Sequence, residues 1–197
     1  MSRARLLRAA DYSRTPWKNG GGSTEEIARD AGAGLDGFGW RLSIADVGES
    51  GSFSAFAGYQ RIITVVQGAG MRLRVDGQLS RDLIPLDPFA FDGASAVHCE
   101  LLGGAIRDFN LIYAPQRYRA RLQWLPVAGE VRLFSSASTL LLFSAEAGLR
   151  VSHDGAEAGV LGRHDCLQLD TPGGLGELVL RAAAGICCLI ELTALHA

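Results

Sequence analysis

The chain has 197 residues, of which 19 are lysine or arginine and 21 are aspartate or glutamate, giving a formal net charge of −2. This length supports one or two domains with a sizeable core. The even mix of charges provides neither the basic surface that nucleic acids require nor a polybasic segment for anionic lipid, so we expect no nucleic acid and no membrane partner.

The N-terminal segment, MSRARLLRAADYSR, has a charged residue at every second or third position. It therefore has no apolar core of the kind found in signal peptides. The longest apolar stretch, residues 182–190, is too short to cross a bilayer. These features predict a cytoplasmic protein.

The stretch PWKNGGGST, residues 16–24, contains Lys18, the only lysine of the chain. Pro16 fixes its own φ angle and the three glycines tolerate positive φ, so the stretch is typical of a loop between two strands. The lysine precedes the glycines and no apolar strand leads into them, which excludes a Walker-type phosphate loop. An ammonium group kept here in an arginine-rich chain suggests a ligand contact, with a solvated loop tip as the alternative.

The pattern that follows is one of strands and turns. Residues 24–29 lie between glycine clusters, and we predict a short strand there rather than a helix. Trp40, Leu42 and Ile44 alternate with other residues, and residues 71–75 alternate before Asp-Gly, a hairpin signal. Both segments are predicted to be half-buried strands.

The chain resembles itself when it is shifted by 78 residues. GMRLRVDG at 70–77 then falls on GLRVSHDG at 148–155, and 11 of 44 ungapped positions are identical. Average residue frequencies of about 7% would give only about three identities. We therefore predict two duplicated halves, residues 1–118 and 119–197.

Repeated short antiparallel strands with Gly, Pro and Asp between them predict a sandwich or jelly roll in each half. RIITVVQGAGMRLRVDG, residues 61–77, resembles the first motif of the cupin superfamily, and residues 87–98 resemble its second motif. The resemblance implies an all-β bicupin, with two tandem cupin-type jelly-roll barrels.

The metal ligands of cupins are absent from the matching positions. Metal cupins place two histidines and a glutamate where this chain has residues 54–61, with Ala55, Ala57 and Arg61 near the expected places. Only His98 matches a further ligand, and one imidazole cannot hold a divalent metal. The four cysteines form no CxxC pair and lie at no ligand spacing from a histidine, so reduced, buried thiols are expected. We expect no metal and no other cofactor.

Polar residues on otherwise apolar strands indicate that the first half is the binding half. Arg41 and Ser43 are predicted to face away from the apolar side of their strand, Arg61 opens an apolar strand, and Asp108 and Asn110 share one face of DFNLIY. The matching strand of the second half, ICCLI, has no such groups, so that half is predicted to be structural. A solvated strand face is the alternative for each residue.

Four blocks of the first half resemble the HutD family, also called the Ves family: PWKNGGGST, WRLSIADVGESGSFSAFAGYQR, FDG at 91–93 and DFNLIY. The similarity runs in order from about residue 5 to about residue 115. The resemblance implies a bicupin without a catalytic metal, encoded in bacteria with the histidine-utilisation enzymes. It further implies binding of a pathway intermediate such as N-formylglutamate or urocanate, which moderates flux or induction.

Together, the residues and the resemblance predict a site for a small carboxylate and assign no catalytic residue. Arg61 is expected to bind the carboxylate through two hydrogen bonds, and Lys18, carried by a glycine hinge, to add a movable positive charge. The predicted ligand-binding residues are Trp17, Lys18, Asn19, Gly20, Gly21, Gly22, Thr24, Arg41, Ser43, Arg61, Asp108 and Asn110.

Two other functions stay open on the sequence. One is a metal-independent cupin enzyme, an isomerase, epimerase or hydrolase acting on a small acid, with His98, Asp108 or Tyr59 as acid or base. The other is a structural or interaction module with solvated polar strands. A homodimer is also expected, because exposed strand edges of cupins are often covered by a second subunit.

Overall fold

The computed structural model describes residues 2–17, 20–31 and 37–195. The chain forms two compact units, one of Ser13–Gln116 and one that combines Met1–Tyr12 with Arg117–Ala197. The described residues contain one 3-10 helix, Ala9–Asp11, and seventeen strands. The strands are β1 (Arg3–Leu7), β2 (Ser13–Pro16), β3 (Gly22–Arg29), β4 (Trp40–Val47), β5 (Gly51–Ser52), β6 (Gln60–Gln67), β7 (Met71–Val75), β8 (Gln78–Leu79), β9 (Phe89–Asp92), β10 (Val97–Leu101), β11 (Ile106–Tyr113), β12 (Tyr118–Ser135), β13 (Thr139–Ser144), β14 (Leu149–His153), β15 (Ala156–Leu161), β16 (Cys166–Asp170) and β17 (Gly176–Ala194).

The Ser13–Gln116 unit contains two antiparallel sheets. The larger has six strands in the order β2-β3-β4-β11-β6-β9, and the smaller has four in the order β5-β10-β7-β8. Apolar side chains of both sheets form one buried cluster, in which Ile63 and Val65 of the large sheet join Met71, Leu73 and Cys99 of the small one. This is the two-sheet jelly roll that the strand pattern predicts. Residues 24–29 belong to β3, as predicted.

The large sheet of this unit is buried on both faces at its centre. Trp40, Leu42 and Ile44 of β4 lie on one face and are almost completely buried. Arg41 and Ser43 point to the opposite face and are buried as well. The alternation along β4 therefore follows the sequence prediction, but the strand is fully buried rather than half-buried, and its polar side chains are held away from bulk water.

The other unit is built on a seven-stranded antiparallel sheet. Six strands follow the order β1-β16-β13-β17-β14-β15, and β12 pairs with β17. The N-terminal strand β1 joins this sheet by pairing with β16 from Arg3↔Asp170 to Leu7↔Cys166. Residues 1–12 thus belong to the same unit as residues 117–197, and not to the first half, residues 1–118, that the repeat predicts.

The 78-residue repeat is visible in the backbone. Left-handed φ angles recur at this spacing in the pairs Gly70 and Gly148, Asp76 and Asp154, Gly77 and Gly155, and Leu86 and His164. The carboxylates of Asp76 and Asp154 also accept equivalent hydrogen bonds, from the N–H of Ala96 at 2.9 Å and of Glu177 at 2.8 Å. Both halves therefore use the same Asp-Gly hairpin, which needs positive φ at two successive residues.

Among the described residues, no helix has the length and apolar character needed to traverse a bilayer.

Candidate functional site

The Ser13–Gln116 unit contains a cavity of about 770 Å³ beside its six-stranded sheet, and the cavity opens to solvent. The sheet face that carries Arg41, Ser43 and Ala45 forms one side of the cavity. Much of the remaining wall comes from Trp17, Ser52, Phe53, Ser54 and Phe56. All lining residues come from this one unit, so the cavity is a feature of a single jelly roll.

Strand register places the polar residues of this face next to one another. Across β4, β11 and β6, Arg41, Ile112 and Arg61 form one row, because Ile112 pairs with both arginines. In the next row Asn110 pairs with Ser43 and Ile63, and beyond it Asp108 pairs with Ala45 and Val65. Directly paired residues project to the same side of a sheet, so these polar groups share one surface.

Arg61 is a buried cation held by aromatic rings. Its guanidinium carbon lies 4.9, 5.4 and 5.7 Å from the ring centres of Phe91, Phe56 and Phe53. Nη1 donates a hydrogen bond to the Ser54 carbonyl oxygen at 3.1 Å, while the buried Nε has no partner. Burial lowers the pKa of Arg61 to about 10; the charge of Asp108 opposes this shift and that of Arg41 adds to it. The side chain remains a cation at neutral pH.

Arg41 lies in a similar aromatic setting. Its guanidinium carbon is 5.3 Å from the ring centres of both Phe38 and Phe56, so Phe56 contacts the two arginines together. The buried Nε of Arg41 also lacks a partner. Burial lowers the pKa of Arg41, and the nearby charge of Glu26 opposes that effect. Cation–π contacts stabilise a guanidinium while leaving its N–H groups free to bind an anion.

Glu26 does not neutralise either of these arginines, because its carboxylate is bound by Arg29. Nε of Arg29 donates to Oε1 of Glu26 at 2.7 Å, and Nη2 pairs with Oε2. This hydrogen bond is the main reason that the pKa of Arg29 is raised. Among the described residues Arg41 and Arg61 form no ion pair, so the cavity has uncompensated positive charge.

Asp108 and Asn110 add acceptor groups to the same surface. Both are buried, with Asp108 only 2% exposed, and Oδ1 of each has no hydrogen-bond partner. Burial raises the pKa of Asp108 to about 7, although the charge of Arg61 opposes this shift. Buried polar atoms in proteins are almost always hydrogen-bonded, so two such atoms together indicate a place for a ligand or ordered water.

Trp17 and Thr24 form part of the cavity wall, and a hydrogen bond joins their side chains. The indole Nε1 of Trp17 donates to Oγ1 of Thr24 at 2.8 Å, which fixes the ring against the sheet. Seven of the predicted binding residues therefore line one cavity: Trp17, Thr24, Arg41, Ser43, Arg61, Asp108 and Asn110.

The glycine run lies elsewhere. Gly20, Gly21 and Gly22 border a separate depression together with Arg14 and Arg107. A Cβ atom at Gly22 would lie 2.1 Å from the Asp46 carbonyl oxygen, so this glycine allows close packing of β3 on β4. Lys18 and Asn19 fall outside the described residues.

Several cavity residues were missed by the sequence analysis, chiefly Glu26, Arg29 and Phe56. Period two along β3 would have placed Glu26 beside Thr24. A bulge between Glu26 and Ala28 then brings Arg29 to that face, and no sequence signal marks the bulge. Phe56 lies between strands, where periodicity gives no information.

The residues considered for acid–base chemistry are not gathered at one place. His98 is exposed on β10, and the hydroxyl of Tyr59 donates to the Phe38 carbonyl oxygen at 2.9 Å. Of the three, only Asp108 lines the cavity. In the part of the chain that the structure describes, no cluster of three His, Cys, Asp or Glu side chains is arranged to hold a metal ion.

The fold and the cavity define the class of protein. YhhW from Escherichia coli, a cupin-type protein, superposes with a TM-score of 0.70 at 9% identity over 99% of this chain and 100% of its own. AerE from Microcystis aeruginosa superposes with a TM-score of 0.67 at 11% identity over 97% and 99% of the two chains. At this identity the likeness concerns the fold alone. The fold is that of an all-β bicupin.

Comparison with known sequences identifies the family of the chain. The HutD family profile matches residues 9–188, and the chain belongs to that family. A 21.2 kDa protein in the hutC 3′ region of Pseudomonas putida is 67% identical over 192 residues, 98% of each chain. HutD from Pseudomonas fluorescens SBW25, solved in a formate condition, is 60% identical with a TM-score of 0.86 over 98% of this chain and 100% of its own. A conserved protein of Pseudomonas aeruginosa PAO1 is 61% identical with a TM-score of 0.96 over 97% and 99%. Protein Ves from Escherichia fergusonii is 35% identical over 54% of this chain and 56% of its own.

Proposed function

We propose that this protein is a non-enzymatic binding protein for a small carboxylate of histidine utilisation, such as N-formylglutamate or urocanate, and that it moderates that metabolism. Membership of the HutD family and the relative in the hutC 3′ region support the metabolic context. The observation that carries the binding proposal is the pair of buried arginines, Arg41 and Arg61, which face one cavity without an ion-pair partner.

Electrostatics favours an anionic ligand. Removing a guanidinium from water is costly unless it gains an anion and good hydrogen bonds. Aromatic contacts offset part of this cost for Arg41 and Arg61, but their unpaired N–H groups and the unpartnered Oδ1 of Asn110 remain. A bound carboxylate satisfies the N–H groups directly, and a ligand N–H or O–H satisfies the amide oxygen.

The expected affinity is moderate. Each hydrogen bond between a charged donor and a carboxylate contributes on the order of 1.5–3 kcal/mol, so two arginine contacts with apolar packing support a Kd between about 1 μM and 1 mM. Trp17 and Phe53 provide apolar wall for the rest of the ligand. Reversible binding in this range suits a protein that responds to the concentration of a metabolite. HutD from P. fluorescens was solved in a formate condition, which makes formate a convenient minimal probe.

Isothermal titration of the full-length protein with N-formylglutamate, urocanate and formate tests the proposal. Arg61→Met and Arg41→Met are expected to reduce affinity by at least tenfold, because each removes a charged hydrogen bond. Arg81→Met is the matched control, since Arg81 also lies over an aromatic ring, Phe89 at 5.7 Å, but is exposed and paired with Asp87. Unchanged affinity in both cavity variants would overturn the proposed site.

A metal-independent enzyme acting on a small acid is the second candidate. The observation that favours it is Asp108, whose pKa of about 7 matches that of a general base at neutral pH. The other acidic residue of the cavity, Glu26, is bound by Arg29, which leaves no second carboxylate to complete an acid–base pair among the described residues. Turnover of a candidate acid followed by NMR, lost in Asp108→Asn, would establish the enzyme instead.

Three further predictions go with the proposal. Lys18 is proposed to approach the ligand, so Lys18→Ala is expected to weaken binding. We also propose that the protein is cytoplasmic. A further proposal is that it forms a homodimer through an exposed strand edge. Sedimentation of the purified protein measures the oligomeric state.

A further inference from the structure

Asp108 is held in an unusual position for an acidic side chain. It lies on the central strand β11, and its direct neighbours on β4 and β6 are Ala45 and Val65, which offer no hydrogen-bonding side chain. The residue is 2% exposed, and its carboxyl group forms no ion pair with a described residue and has an unpartnered Oδ1. Asp108 nevertheless lines the same cavity as Arg41 and Arg61.

A bound carboxylate would therefore meet a second carboxyl group inside the cavity. Two carboxylates that meet at a buried position cannot both remain ionised at low cost, because their repulsion is poorly screened there. The usual solution is a shared proton, which turns repulsion into a short hydrogen bond between an acid and an anion. The cavity provides both groups that this arrangement requires. Asp108 is the buried carboxyl group, and Arg41 and Arg61 are cations that can bind the carboxylate that stays ionised.

We propose that Asp108 couples ligand binding to proton uptake, an inference that rests on the proposed function. A carboxylate ligand held by Arg41 and Arg61 binds when Asp108 is protonated, and the neutral carboxyl group of Asp108 donates a hydrogen bond inside the cavity. The proton comes from bulk water and stays on the pair formed by Asp108 and the ligand. No covalent bond forms or breaks. Where Asp108 is ionised in the free protein, binding of one ligand anion therefore adds one proton to the protein.

The charged groups around Asp108 fit this role. Arg61 of β6 and Arg41 of β4 are positive, Asp46 of β4 is negative, and β3 contributes Glu26 and Arg29, which neutralise each other. On β10, burial and Asp108 raise the pKa of the Cys99 thiol to about 12, so it stays neutral. Burial, supported by Asp46 and opposed by Arg61, raises the pKa of Asp108 to about 7. Near neutral pH the carboxyl group of Asp108 can therefore take up or release its proton.

This arrangement makes ligand affinity dependent on pH. Above the pKa of Asp108 the ligand must recruit a proton, and affinity is expected to fall by about tenfold for each further pH unit. Below that pKa affinity should vary little until the ligand carboxylate itself begins to protonate. A site built only from arginines would show no such loss between pH 7 and 9, because guanidinium groups remain charged throughout that range.

Titration calorimetry in buffers of different ionisation enthalpy tests the inference on the full-length protein, with N-formylglutamate and formate as probes. At pH 8 we expect uptake of close to one proton per ligand. Asp108→Asn keeps the shape of the side chain and mimics its neutral form, so this variant is expected to bind without proton uptake and with affinity independent of pH between 7 and 9. Asp82→Asn is the control, because Asp82 is a surface carboxylate paired with Arg72; its proton uptake should match that of the unmodified protein.

A second measurement does not depend on ligand. The ¹³C chemical shift of the Asp108 carboxyl carbon, assigned by its loss in Asp108→Asn, should titrate near pH 7 in the free protein. Titration near the ordinary value of about 4 would overturn the inference. Binding without proton uptake would also overturn it while leaving the proposed function intact. Absence of binding by both probes, with unchanged heats in every variant, would overturn the proposed function and this inference together.

Discussion

Arg41 and Arg61 occupy the two strands on either side of Ile112, in one row across β4, β11 and β6, and both contact the ring of Phe56. Neither forms an ion pair with a described carboxylate. Two like charges on neighbouring strands repel each other, and their burial adds a desolvation cost. The fold thus tolerates an electrostatically unfavourable pair at a place where apolar residues would pack well, which is typical of a binding site rather than of a structural core.

The first prediction concerns the stability cost of Arg61. Arg61→Met keeps the length of the side chain and removes a buried charge, so we expect the free energy of unfolding in urea to stay the same or to rise by about 1–2 kcal/mol. The lost hydrogen bond to Ser54 limits the gain, since such a bond contributes about 1 kcal/mol. The control Arg81→Met should lie within about 0.5 kcal/mol of the unmodified protein. A loss of more than 2 kcal/mol in Arg61→Met would instead assign Arg61 to the structural core.

The second prediction concerns the pH dependence of stability. Asp108 has a pKa of about 7 in the folded protein, above the value of about 4 in an unfolded chain, so its favourable contribution is complete below pH 4 and is lost as pH rises through 7. At pH 8 the buried carboxylate therefore destabilises the fold by on the order of 4 kcal/mol. Asp108→Asn should raise the melting temperature at pH 8 and change it much less at pH 4.5. An equal effect of the substitution at both pH values would contradict the raised pKa.

The polar surface of the cavity could be predicted from the sequence because it follows strand periodicity. Arg41 and Ser43 alternate with buried apolar residues, and Asp108 and Asn110 do the same on β11, so period two places each pair on one face. Strand register then joins the pairs, and the duplicated pattern indicated a jelly roll in each half. These are local signals, and the structure follows them.

Other features depend on contacts between distant parts of the chain and left no local signal. Strand β1 pairs with β16, more than 150 residues away, and no local pattern separates residues 1–12 from the strands that follow them. The ion pair of Glu26 with Arg29 forms on the cavity face only because a bulge interrupts β3. Phe56, which contacts both cavity arginines, lies outside any periodic strand.

The glycine run at residues 20–22 shows that residue type alone does not reveal why a position requires glycine. A glycine that serves as a hinge and one that permits close packing look the same in a sequence, so residue type alone does not distinguish Gly20, Gly21 and Gly22. In the structure Gly20 has a φ of 76° and open space around its Cα, whereas Gly22 has no room for a Cβ atom. The two positions therefore require glycine for separate physical reasons.

The third prediction uses this contrast. Gly22→Ala is expected to lower the free energy of unfolding by more than about 2 kcal/mol, because the added Cβ would overlap the Asp46 carbonyl oxygen at 2.1 Å and press on the Trp17 ring at 3.1 Å. Gly20→Ala meets no neighbour and should cost only about 1 kcal/mol through its positive φ. Because Trp17 lines the cavity, Gly22→Ala should also weaken ligand binding. Equal costs at the two positions, measured by urea unfolding, would refute this account of the run.

The fourth prediction concerns Asp165, a buried carboxylate whose surroundings are opposite to those of Asp108. Its oxygens accept hydrogen bonds from Arg8 Nη1 at 2.7 Å and from the N–H groups of Ala9 and Gly162, both at 2.9 Å. Burial alone would raise the pKa of Asp165, but these hydrogen bonds outweigh it and hold the pKa below its usual value. The contribution of Asp165 is therefore present above pH 4 and is lost as pH falls below that.

Asp165→Ala leaves two backbone N–H groups without an acceptor and should cost about 2–4 kcal/mol. Because the Asp165 hydrogen bonds hold Arg8 and Ala9 directly after β1, the loss should be greatest there. Hydrogen exchange at pH 7 is expected to show faster exchange across Arg3–Leu7 and its partner Cys166–Asp170 than across β4 and β11. Asp11→Ala, at an exposed position in the same segment, is the control and should leave these rates unchanged. Protection of Arg3–Leu7 equal to that of the unmodified protein would show that strand pairing alone, without the Asp165 hydrogen bonds, fixes β1 in its sheet.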